Sequence, residues 1–199
     1  MKIYGKKKTA LFIGHRDCFG INRNVLEAVI ENEIKNGIVY FLSGGQGDFD
    51  RISASAVYAL KEKYPHIKNY LVMPYQNFNV FDREIFDEIF YPMSLNGVPY
   101  KAAIPRRNRY MVNNASTAIC YIMHTMGGAG DTFFYAENKK LKIINIYKKY
   151  NGTVMNCSLR YNKKDREISL SFLLYIFILF CFSSENFTSE KDYIHNSKE

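Results

Sequence analysis

Four segments of this sequence combine glycine or repeated arginine with residues able to hold charge: GHRDCFG at 14–20, SGGQGDFD at 43–50, RRNR at 106–109 and MGGAGDT at 126–132. Glycines in excess of what a turn needs let another group approach the main chain closely. At the start of a helix, unpaired backbone N–H groups and the positive dipole end suit phosphate. The candidates for contact with such a ligand are therefore Gly14, Ser43, Gly44, Gly45, Gly127, Gly128 and Gly130. His15 stands where a ligand would, and Arg16 and Arg107 offer positive charge. A guanidinium can grip a phosphate with two parallel hydrogen bonds. Asp50, Asn108, Asp131 and Thr132 supply groups that hydrogen-bond a sugar or shape the loops.

Other chemistries find little support. No Gly-Lys-Ser/Thr follows either glycine turn, so neither is a Walker A loop. The dinucleotide fingerprint GxGxxG belongs after the first strand, and GHRDCFG occupies that place. The four cysteines (Cys18, Cys120, Cys157, Cys181) form no CxxC pair, which argues against a zinc site or a disulfide framework and for a reducing compartment. No metal ligand set and no cofactor are expected. No Ser-His-Asp order or close carboxylate pair supports nucleophilic catalysis. His124 reads as an end-of-strand residue, and RRNR has a plain alternative as a solvated basic face.

The elements that must position these segments alternate. TALFIG (9–14), IVYFLS (38–43), KNYLVMP (68–74), TAICYIM (117–123) and LKIINIY (141–147) are short apolar runs suited to buried strands. Between the first two, INRNVLEAVIENEIKNG has apolar residues every fourth position and a glycine stop, and DRISASAVYALKEKY after the second glycine turn carries Ile52, Ala56, Ala59 and Leu60 on one face. DREIFDEIFY reads as a short helix running into a strand near Ile89 to Met93. Pro105 suits the first position of a helix over RRNRYMVNNA, and GGAGDTFFYAENKK reads as a glycine loop opening a helix. Strand alternating with helix specifies an α/β fold, a mainly parallel sheet doubly wound with helices on both faces. Ligands in such folds bind beyond the carboxyl ends of the strands, where all the chemical candidates fall.

With 199 residues, one domain over 1–150 is expected, followed by an extension, 151–199. The formal charge is +8, and residues 1–150 carry the whole excess because basic and acidic residues balance beyond them. A basic folded part favours anionic partners: nucleotides, nucleic acid or a membrane surface. The N-terminal apolar run is too short for a signal peptide, so a cytoplasmic location is expected. The extension contains ISLSFLLYIFILFCF (168–182), fifteen residues against the roughly 17 to 25 of a membrane span. It reads as a packing helix, as a membrane or protein contact, or as an extension without a role.

FIGHR, SGGQGDFD, YLVMPY, RRNRYMV and GGAGDTFFYAENKKLKIINI, in that order over residues 8–147, together resemble the SLOG superfamily, in particular its YpsA-like branch of small bacterial and phage-borne proteins. The resemblance implies a Rossmann-like domain that binds nucleotides or nucleotide-derived ligands. It also implies three functional classes: nucleotide sensors, phosphoribohydrolases that release the base from a nucleoside monophosphate, and DNA-processing proteins. The hydrolases carry an RKxxM segment and a PGGxGTxxE segment. Arg107 and Met111 match the first, with Asn108 in place of the lysine. In the second, Met126 replaces the proline, Asp131 falls at the threonine, and the glutamate position holds Phe134, or Tyr135 if Thr132 is the threonine. Glu137 lies in the same helix but out of register. The reading that results is a sensor or regulatory domain for a nucleotide-like small molecule. The alternatives are a hydrolase with Arg107 and a relocated acid, Glu137 or Asp50, and a nucleic-acid-binding accessory. Family precedent points to a homodimer.

Overall fold

The structure is a computed structural model and describes residues 5–147. The expectations for the extension, including its apolar segment 168–182, lie outside the described residues. Six strands form one all-parallel sheet: β1 (Thr9–Gly14), β2 (Tyr40–Ser43), β3 (Lys68–Val72), β4 (Glu88–Phe90), β5 (Thr117–Tyr121) and β6 (Lys142–Asn145), in the spatial order β4-β3-β2-β1-β5-β6. Among the described residues the α-helices are α1 (Arg23–Lys35), α2 (Asp48–Leu60), α3 (Tyr100–Asn113) and α4 (Gly127–Asn138).

Strand alternation sends side chains to opposite faces. From β1, Ala10 and Phe12 join Leu26, Ile30 and Ile34 of α1 and Ala56 and Val57 of α2 in one core. Leu11 and Ile13 join Met111 and Val112 of α3 and Phe133 and Ala136 of α4 in the other. The expected doubly wound arrangement is thus present, with two helices covering each face. The sheet order reverses between β1 and β5, and this switch point opens a crevice at the strands' carboxyl ends.

The glycine stop expected after the first helix is in place, and the structure adds a cap at its start. The Asn22 side chain accepts from the Val25 N–H at 3.3 Å to start α1, and Gly37 at φ 93° follows its end. Two expectations need correction. Pro105 does not open α3: the helix begins five residues earlier at Tyr100, after Pro99 with φ −57° and ψ 142°. Pro105 therefore removes one N–H bond to the Lys101 carbonyl, on an exposed turn where water can replace it. The glycines of GGAGDT do not form a loop before α4 but are its first turn. DREIFDEIFY resolves into a single 3-10 turn, Arg83–Ile85, and the three-residue strand β4.

Candidate functional site

A cleft of about 510 Å³ opens at the switch point, within the usual range for small-molecule sites. His15 and Arg16 enter it from the end of β1, Gly44, Gln46 and Asp50 from the turn after β2, Arg107 and Asn108 from α3, and Gly127, Gly128 and Thr132 from α4. The two glycine turns thus do meet at one cavity. They are not equivalent, however.

The turn after β2 is filled by the protein itself. Arg107, only 2% exposed, donates through Nη1 to the carbonyls of Gly44 and Val72, the latter at 2.9 Å, and through Nη2 to Gln46 Oε1 at 3.3 Å. Its Nε donates to Asn108 Oδ1 at 2.8 Å. A Cβ on Gly44 would lie 2.5 Å from Arg107 Nη1, so the glycine makes room for the guanidinium. At Gly47, φ is 113° and a Cβ would lie 2.5 Å from the Arg16 Cα, which accounts for a second glycine. Three of the main-chain amides are also engaged. Asp50 accepts from the Gln46 N–H at 2.9 Å and from the Gly44 N–H, and the Asp48 N–H donates to the Arg16 carbonyl at 2.7 Å. A carboxylate from its own first turn thus stands where a phosphate was expected.

The turn at α4 is different. Nothing lies within 4 Å of a Cβ placed on Gly127 or Gly128, and no side chain caps the helix. The N–H groups of a helix's first turn have no intrahelical partner, and here Gly127, Gly128 and Ala129 of that turn line the cleft. Thr132 Oγ1 donates to the Gly128 carbonyl at 2.6 Å and accepts from Asn108 Nδ2 at 3.0 Å, which ties α4 to α3 and, through Asn108, to Arg107.

Burial pushes the Asp50 carboxyl above its usual range, against the pull of Arg107 and of two backbone N–H groups. Burial also draws the Arg107 guanidinium down to about 10, partly offset by Asp50, so it stays charged at neutral pH. His15 is lowered by burial and by the neighbouring His124, although a backbone hydrogen bond raises it. The two imidazole rings lie 3.9 Å apart between centroids. Cys18, held by the His15 carbonyl, is raised to about 11 by burial, and Cys120 is raised by burial too, so neither thiol is a ready nucleophile.

Several predicted residues stand elsewhere. Ser43 is fully buried and does not line the cleft. Gly45 turns towards Leu71 and Phe78 instead of the cleft, and the missing Cβ of Gly130 makes way for the Thr125 carbonyl. Asp131 and Glu137 are exposed on α4 and do not line the cleft. RRNR is split: Arg107 is buried, whereas Arg106 and Arg109 are solvated, as the plain alternative held. The sequence reading missed Gln46 and His124. The signal for His124 was its place just beyond β5, the strand beside β1, which brings it to His15. Among the described residues no group of three or more His, Cys, Asp or Glu is placed to hold a metal, and no helix is long and apolar enough to cross a membrane.

A parallel sheet with its cleft at the strand-order reversal defines a Rossmann-like α/β protein. The chain matches the YpsA model, that of the YspA SLOG family, over residues 2–150, and it belongs to that family. Among solved structures it is similar to DNA processing protein A from Helicobacter pylori, described with a unique single-stranded DNA binding mode. There the identity is 16% and the TM-score 0.50, over 68% of this chain and 63% of that one. It is also similar to DNA processing protein A (DprA) from Streptococcus pneumoniae, with 18% identity, a TM-score of 0.51 and coverage of 68% and 48%. At these identities the likeness is one of fold, and the chain spans less than two thirds of either protein's length. No curated protein matches the chain.

Proposed function

We propose that this domain binds a nucleotide or nucleotide-derived small molecule as a sensor or regulatory module, with a phosphate seated on the first turn of α4. The observation that carries this reading is the contrast between the two glycine turns. After β2, Asp50 accepts from the Gln46 and Gly44 amides, while Gly127 and Gly128 line a cleft of nucleotide size at a helix start that no side chain caps. Arg16 and the His15–His124 pair add cationic or hydrogen-bonding groups at the same mouth. Arg107 acts from beneath, holding the β2 turn and Asn108 in place.

Binding is favoured over hydrolysis by the carboxylates. Asp50 is engaged by two amides and Glu137 lies outside the cleft, so neither is placed to support charge developing on a ribose. The test is a thermal-shift panel of mononucleotides, NAD and ADP-ribose derivatives, with product analysis on the same samples. Stabilisation without release of free base is expected. No shift at millimolar ligand contradicts the reading, and free base released from a nucleoside monophosphate converts it to the hydrolase reading. A nucleic-acid reading draws on the basic excess of residues 1–150 and on the fold shared with DNA processing protein A. Its mark is an affinity that falls steeply with salt as phosphate contacts release counterions.

A further inference from the structure

Beside the cleft, a second hollow of about 780 Å³ is lined by Tyr75, Tyr91, Tyr100, Gln76, Asn77 and Asn96, together with Gly97. The lining holds three aromatic rings and three carboxamides and no ionisable acid, lysine, arginine or histidine. Tyr75 and Tyr100 form one platform, with ring centroids 4.8 Å apart and hydroxyls hydrogen-bonded at 3.1 Å. Phe78 braces Tyr75 edge-on at 5.6 Å and sits against Gly45, the neighbour of the cleft residue Gly44.

This chemistry does not suit a phosphate, which has no cation to meet there. It suits a planar, uncharged ring with donors and acceptors on its edge. Tyrosine faces stack any base, and a carboxamide offers a donor and an acceptor side by side. Tyr100 is 69% exposed, although it is a large aromatic residue. The geometry points to a nucleobase subsite: the tyrosine hollow stacks a second base, linked to the nucleotide whose phosphate sits on α4. The ligand is then a dinucleotide unit, drawn either from a single strand or from a small-molecule dinucleotide. This deepens the reading above and rests on it.

The test titrates the full-length protein calorimetrically with four ligands. They are adenosine monophosphate, a 5′-phosphorylated 3′,5′-linked dinucleotide, the same compound with an abasic second sugar, and a 5′,5′-pyrophosphate dinucleotide. The second base is expected to tighten binding about 5- to 150-fold over the abasic compound. Tyr100→Ala, which puts a strong helix former at an exposed helix start, abolishes that gain and leaves mononucleotide affinity within about twofold. Gln76→Ala, also exposed, loses part of the gain. Whichever linkage shows the gain identifies the source. Equal binding of the base-bearing and abasic compounds overturns the proposal. So does a Tyr100→Ala protein that keeps the gain, or one whose unliganded form sediments as a smaller species, which makes the hollow a subunit contact. If the mononucleotide fails to bind while the dinucleotide binds with dependence on Tyr100, the cleft reading falls and the hollow stands. Failure of every ligand removes both.

Discussion

Arg107 shows how one buried charge ties together the backbone around the cleft. Its guanidinium donates to two main-chain carbonyls, and Asp50 offsets its charge. Arg107→Met keeps the bulk but removes the donor to both carbonyls and leaves the buried Asp50 without its nearby positive charge, and it is expected to cost about 3–5 kcal/mol. Gly44→Ala drives a methyl into the same guanidinium, with an expected cost of about 1–3 kcal/mol. Urea unfolding of the two variants measures both, and unchanged midpoints would show that Arg107 is not structural. The sequence singled out both residues for contact with a ligand, and in the structure the Arg107 guanidinium takes the space that Gly44 leaves. A surplus glycine signals that something approaches the backbone, and in one chain read alone an internal arginine and an external phosphate leave the same signal.

At the scale of elements, the strands were legible because a parallel sheet buries both faces, so each strand is a continuous apolar run. Helix limits were legible where Gly37 marks a stop, and less so at α3, where Pro105 mimics a first-turn proline that Pro99 already precedes. Packing contacts between distant elements left no local trace. Glu33 lies on the buried face of α1 and accepts from Lys142 Nζ, at the start of β6, at 2.7 and 2.8 Å, with Asn32 and Asn36 beside it. Lys142→Met leaves that carboxylate buried without its cation. A loss of about 1–3 kcal/mol is expected, measured by thermal or urea unfolding, and Glu33→Leu in the same background should restore part of it. No restoration would mean that the pair does not join α1 to the sheet edge.

Across the whole molecule, pH dependence separates the groups by sign. The lowered His15 binds its proton less readily in the fold than in the unfolded chain, so stability falls as pH drops through 6.5 towards the lowered value. His15→Gln is expected to flatten the change in Tm between pH 7.5 and 5.5, and an identical change in both proteins would contradict the assignment. Glu31, bridged to Lys63, Tyr64 and Lys35, is lowered to about 2, so its contribution is present above 4.5 and lost as pH falls towards 2. Asp50, being raised, acts in the opposite sense and favours the fold more below the ordinary carboxylate range than above it.

The measurement that bears most directly on the account is the affinity of Gly128→Asp for the nucleotide that gives the largest thermal shift. The added side chain meets nothing within 4 Å, and an acid in the first turn suits the helix dipole, so the Tm should hold or rise slightly. Its carboxylate would occupy the anion position and repel a phosphate, and binding should weaken at least about tenfold, roughly 1.4 kcal/mol. A variant that keeps its Tm and binds the nucleotide as tightly as the parent would show that the phosphate does not sit on the first turn of α4.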